Sequence, residues 1–179
     1  MSQRIIYTHQ NPDMDAIFSI WAVFRFILEF RNAIVRYKPA NWNGEGFREG
    51  YDIAVDIDAG GFGIKGDMFD GRVQSCFSTL LRRHANKQER KLLRPLMIYV
   101  DAEDAHPSAA HYLLGDKIKA ETNGEYEVSA STRSIFHHTG LGMVFKSMKN
   151  FCGDNTDQLI HQVFIILDGY RQQADKRGM

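Results

Sequence analysis

Residues 7–18 read YTHQNPDMDAIF, in which one His, two Asp and an Asn-Pro pair stand between two apolar runs. On the amino-terminal side, RIIYT (4–8) is short, β-branched and aromatic, which predicts a buried strand. On the other side, DAIFSIWAVFRFILEFR (15–31) lacks Gly and Pro and is largely apolar, which predicts a helix packed on more than one side. Asn11-Pro12-Asp13 supplies turn chemistry between the two.

Working outward, further strands are expected at AIVRYK (33–38), YDIAVD (51–56) and PLMIYVD (95–101), and a helix at QSCFSTLLRRH (74–84). Strand and helix signals alternate, which predicts an α/β fold with a mostly parallel sheet flanked by helices. From His106 onward the pattern turns helical, with turns near 122–124 and 153–155. A final helix is expected from Thr156 to about Ala174, its apolar stripe formed by Leu159, Ile160, Val163, Phe164 and Leu167. The 179 residues suit one domain, 1–179, with a sizeable core.

Hydrophobic residues make up 44% and charged residues 25%, the balance of a folded globular chain. Lys plus Arg and Asp plus Glu are 22 each, so the zero formal charge argues against long duplex nucleic acid as a partner. Cys76 and Cys152 are the only cysteines and carry no metal or redox spacing, so they are read as reduced thiols in a cytoplasmic protein, with a disulfide between them as the alternative. No apolar stretch reaches about 18 residues and the amino terminus has no signal-peptide core, so no membrane association is expected.

Three of the expected strands end in carboxylates: RIIYT runs into His9, Asp13 and Asp15, YDIAV into Asp56 and Asp58, and LMIYV into Asp101 and Asp104. Ligands of an open parallel sheet bind outside the strands' carboxyl ends. Carboxylates crowded there repel one another unless cations or protons intervene. One imidazole among them suits Mn²⁺, Mg²⁺, Zn²⁺ or Fe²⁺. Each Asp also has a plainer role open to it, since Asp13 and Asp15 can cap the following helix and Asp56 and Asp101 can open loops.

The stretch THQNPDMDAIFS resembles the first motif of the DHH phosphoesterase superfamily, His-x-Asn/Asp-Pro-Asp-x-Asp-Ala-x-x-Ser, through Ser19. VDIDAGG (55–61), FDGRVQS (69–75) and VDAED (100–104) look like its later motifs in the same order, nearest to the metal-dependent nucleases related to the melanocyte proliferating gene product. The resemblance implies that His9 and Asp13 bind one metal and Asp15 and Asp101 a second, with Asp56 bridging. Mn²⁺ would be preferred, with Mg²⁺ as the alternative. It also implies hydrolysis of a phosphoester or phosphoanhydride in a nucleotide, a short oligonucleotide or another phosphorylated small molecule, with Asp13, Asp15 and Asp56 as catalytic residues. Arg72, where the family has a His, is expected to join them by stabilising the developing charge.

The chain departs from that pattern where the Asp-His-His triplet becomes Asp70-Gly71-Arg72. Gly71 cannot replace the lost metal ligand. Arg72 can bind phosphate through its guanidinium, or it can be a surface residue on the following helix. A one-metal arrangement follows, with the ion at His9, Asp13 and Asp56 while Asp15 and Asp101 pair with Arg72. The rival expectation is an inactive module that keeps the pocket for a nucleotide or phosphorylated ligand. The superfamily's carboxyl-terminal substrate domain is expected to be absent, and a homodimer is possible.

Asn11, Arg72 and His106 are the candidates for touching substrate. His106 and His111 are also candidates for the lost ligand or are solvated residues, and His137-His138 precede a Gly-containing turn. GGFGIKG (60–66) lacks the Lys-Ser/Thr ending of a phosphate loop and is expected to be a flexible connection. RRHANKQERK (82–91) either guides an acidic substrate or forms a solvated helix face.

Overall fold

The computed structural model describes residues 3–105 and 141–177. A three-stranded parallel sheet has the order β2-β1-β3, from β1 (Ile5–His9), β2 (Ile34–Lys38) and β3 (Ile53–Ala54). The register pairs Ile5 with Ile34 and His9 with Lys38 on one side of β1, and Tyr7 with Ala54 on the other. Beyond β3, Val55 bridges to Ile64 in parallel, so the chain after the strand folds back beside it.

Between β1 and β2 runs α1 (Met14–Phe26), whose residues Met14 to Val23 are all buried. Such burial requires cover on several sides, as the apolar run predicts. Ile6 and Val55 from the sheet, Phe77, Leu80 and Leu81 from α2 (Cys76–His84), and Leu159, Val163 and Leu167 from α5 (Thr156–Lys176) share one core with it. Phe77 lies against Phe18 edge-on with centroids 5.4 Å apart. The helix stops before the expected Arg31. Ile27 turns extended at φ −115°, and a short 3-10 turn at Leu28–Phe30 follows, which buries Phe30 under the Arg4 guanidinium. The other face of β1 presents Tyr7 to Trp42 and Phe47 of the loop after β2.

The expected strand at 95–101 is instead part of a helix, α3 (Lys87–Ala105), with Pro95 inside it. Leu92, Leu93, Leu96, Met97 and Val100 are buried, and their spacing is that of one helical face while Pro95 lies on the exposed side. A short apolar run reads equally as strand or buried helix, and here the flanking residues 87–94 extend the helical period.

FDGRV, read from the resemblance as the family's Asp-His-His triplet with both His replaced, forms a hairpin: β4 (Met68–Phe69) pairs antiparallel with β5 (Arg72–Val73). Asp70 and Gly71 at its tip have φ of +48° and +74°. Two consecutive positive φ values define the turn that favours Asp-Gly. Arg72 is therefore on a strand, not on the following helix; its side chain lies outside the described residues.

GGFGIKG is a tight turn, not a flexible connection. A Cβ at Gly63 would stand 1.7 Å from the Ile57 carbonyl oxygen, and its amide donates to Asp58 O at 2.8 Å. The charges of 82–91 are largely engaged in local structure: Arg83 forks onto Asp67, Arg90 donates to the Arg82 and Ala85 carbonyls, and Glu89 pairs with Arg171.

A helical segment, α4 (Leu141–Cys152), precedes α5. The expected stripe of α5 is largely buried, with Phe164 partly buried against Phe24. Trp21 Nε1 donates to Asp168 at 3.0 Å and the Tyr37 hydroxyl to Asp157 at 3.2 Å, which ties the last helix to α1 and β2. Both thiols are unpaired and buried. Among the described residues no helix is long and apolar enough to cross a membrane. His106, His111, the turn at 122–124 and His137-His138 lie outside the described residues.

Candidate metal centre

His9 is the last residue of β1, Asp13 is the N-cap of α1, and Asp56 follows β3 by two residues. The parallel register therefore brings all three to the sheet's carboxyl edge. One ligand atom from each lies within 4.8 Å of the others.

The His9 ring is oriented from both nitrogens. Nδ1 lies 2.9 Å from the Gln10 carbonyl oxygen, which can only accept, so Nδ1 carries a proton. Nε2 faces Asp56 Oδ2 at 3.1 Å. A neutral imidazole with its proton on Nδ1 would set a lone pair against a carboxylate oxygen there. A second proton or a cation between the two relieves that repulsion. The hydrogen bond to Asp56 raises the His9 pKa, against the opposing effect of burial.

Asp56 is 7% exposed and has φ +51°, an uncommon conformation for a residue with a side chain. Its amide donates to Ile64 O at 2.8 Å and also lies 3.3 Å from Cys76 Sγ, an arrangement that holds the strained backbone. Burial pushes its carboxyl up, the His9 contact pulls it down, and the Asp13 charge pushes it up again. Lys65 Nζ stands 3.9 Å away. Asp13 accepts from Ala16 N at 3.0 Å, so it caps α1. A carboxylate has two oxygens, so capping and ligation are compatible.

Asp15 and Asp101 are placed differently. Asp15 is 3% exposed and accepts the backbone N–H of Cys76 and of Phe77, both at 2.8 Å, so it caps the start of α2, not its own helix. Burial, with the Asp56 charge, holds its pKa well above the usual carboxylate range despite those bonds. Asp101 sits on α3, not at a strand end, and accepts from Ser75 N at 3.0 Å and Ser75 Oγ at 2.6 Å. Both carboxylates are thus committed to the amino terminus of α2. Asn11 is exposed at φ +53° in the loop.

Two further charged groups stand beside this set. Asp104 has its pKa pushed up to about 6 by burial and by the charges of Asp56 and Asp13. Lys149 of α4 donates to Pro12 O at 3.2 Å, one residue from Asp13. Asp104, expected at this edge from a strand end, is carried instead by the last turn of α3, whereas Lys149, which has no local sequence signal, reaches it through the packing of α4. The donor set of one imidazole and two carboxylates suits a divalent ion such as Mn²⁺ or Mg²⁺. Comparison with protein-family models, with curated proteins and with solved structures finds no match.

Proposed function

We propose that this protein is a DHH-like phosphoesterase that works with a single divalent ion, Mn²⁺ by preference, held by His9, Asp13 and Asp56. The supporting observation is the convergence of those three side chains at the sheet edge while Asp15 and Asp101 bind α2. Such an ion supplies Lewis acidity toward a phosphoryl oxygen and eases deprotonation of water. The chain's part is to fix the donors: the Gln10 carbonyl orients His9, the Ala16 amide orients Asp13, and the paired amide of residue 56 holds Asp56. Arg72 remains the candidate for neutralising a substrate phosphate. The substrate class is a nucleotide, a short oligonucleotide or another phosphorylated small molecule, met in the cytoplasm, where Cys76 and Cys152 stay reduced.

The engagement of Asp15 and Asp101 also favours a second reading, an inactive module that binds a phosphorylated ligand at the same edge, because the second ion's carboxylates are taken. Titration of Mn²⁺ into chelator-treated protein, followed by hydrolysis of bis-p-nitrophenyl phosphate, separates the two. One ion per chain with turnover lost in Asp56→Ala supports the enzyme. One ion without turnover on any phosphoester leaves the binding module. No Mn²⁺ binding at millimolar concentration sinks both readings as metal proteins, and light scattering on the same sample tests for a homodimer.

A further inference from the structure

A cleft of about 300 Å³ begins at Asp13 and runs between the start of α1, the last turns of α3 and the face of α4. Its apolar part is formed by Met14, Val100 and Phe145, all nearly buried. One wall carries Lys146 and Lys149, three residues apart and therefore on the same side of α4. The end of α3 contributes Glu103 and Asp104 to the lining.

We propose that this cleft seats the substrate as a phosphomonoester about the size of one nucleotide, with Lys146 and Lys149 holding the phosphate beside the ion site. The inference rests on the single-ion reading above and narrows its substrate. Lys149 gives one ammonium hydrogen to Pro12 O, which leaves two for a ligand at a position fixed by the same loop that carries Asp13. Two lysines next to a divalent ion match the dianion of a monoester better than the single charge of a diester. The Asp104 carboxylate, contributed by α3, repels phosphate and accepts hydrogen bonds from hydroxyl groups, so it orients a sugar away from the phosphate seat. The apolar part takes a ring. The volume is at the lower end for ligand clefts, roughly 300–1,000 Å³, which matches one nucleotide better than two.

The test is calorimetry on the full chain in two stages, first Mn²⁺ alone and then inorganic phosphate, 5′-AMP or the dinucleotide pApA into the Mn²⁺-loaded protein. Wild type, Lys146→Ala, Lys149→Ala and Lys149→Arg are compared. Mn²⁺ affinity should be the same in all four. Phosphate and 5′-AMP should bind about tenfold more weakly to each alanine variant, as expected for loss of one charge-assisted hydrogen bond, with partial recovery in Lys149→Arg. The dinucleotide should bind no more tightly than 5′-AMP.

Unchanged phosphate affinity in both alanine variants, or no phosphate binding by the wild type, overturns the inference while leaving Mn²⁺ binding intact. Tighter binding of pApA overturns the size limit. Failure of the wild type to bind Mn²⁺ instead overturns the single-ion reading, and with it the seat beside an ion. Should Lys149→Ala fail to fold, the exposed Lys146 carries the test by itself.

Discussion

The carboxylate of Asp15, in the first turn of α1, accepts the backbone N–H of Cys76 in the first turn of α2 at 2.8 Å. Its other oxygen takes the N–H of Phe77. A carboxylate spaced like a metal ligand in the sequence therefore acts as a remote helix cap between two core helices.

Replacing Asp15 with Ala should leave both amides without a partner in the core. The expected loss is about 3 kcal/mol, the scale for hydrogen bonds to a charged group less the relief of burying it. Urea unfolding of metal-free protein measures this. Mn²⁺ affinity of the folded fraction should not change, and a large drop would place Asp15 on the metal after all.

Asp56→Asn should act in the opposite sense on stability and function. The raised Asp56 pKa means that ionisation is disfavoured by folding, so the wild-type carboxylate costs stability above its folded pKa and costs nothing below its unfolded one. Asn keeps the shape and tolerates positive φ. The metal-free variant should melt higher than wild type at pH 8, while Mn²⁺ binds at least roughly tenfold more weakly. Asp101→Asn should leave Mn²⁺ binding intact. Thermal melts with and without Mn²⁺ read both effects.

Asp104 gives a separate pH dependence. Its pKa is raised from 3.8 to about 6 by burial and by Asp56 and Asp13, against Lys65 and with a lesser push from Asp101. The stability tied to its proton is fully present below its unfolded pKa near 3.8 and lost as pH rises through about 6. Asp104→Asn should therefore match wild type at the acid end of that window and become the more stable protein above it. Adding Mn²⁺ should shrink the difference, because a cation at Asp13 and Asp56 cancels the charges that repel Asp104. Melting temperatures across the window, with chelator and with Mn²⁺, provide the check.

Pro95 lies exposed inside α3, where it has no N–H to donate. Pro95→Ala should stabilise the protein by about 1–3 kcal/mol, the gain of a helical bond less the greater freedom of the unfolded chain. Chemical denaturation measures it. A loss of stability would argue that residues 95–101 form the strand expected from their composition.

The elements with strong local signals were legible. RIIYT is a strand because β-branched residues fill a buried pleat, and α1 is a helix because its apolar run continues past any strand length. The five buried positions of α3 were also legible as a period, and PLMIYVD misled only because it was read without the residues before it. Asp70-Gly71 carried its own turn signal, which the likeness to a family motif obscured. The same glycine that removes a candidate ligand provides the positive φ at the hairpin tip.

The sequence by itself determined the α/β class and the crowding of His9, Asp13 and Asp56 at one sheet edge, since strand ends and parallel register follow from local pattern. Only the tertiary structure decided which carboxylates remain there. Asp15, Asp56 and Asp101 are equivalent as letters, and their roles diverge because partners distant in the chain reach them. Asp15 meets the amides of α2, 61 and 62 residues away, and Asp101 meets Ser75, 26 residues back. Hydrogen bonds of that span depend on how helices pack, which no local window of sequence contains.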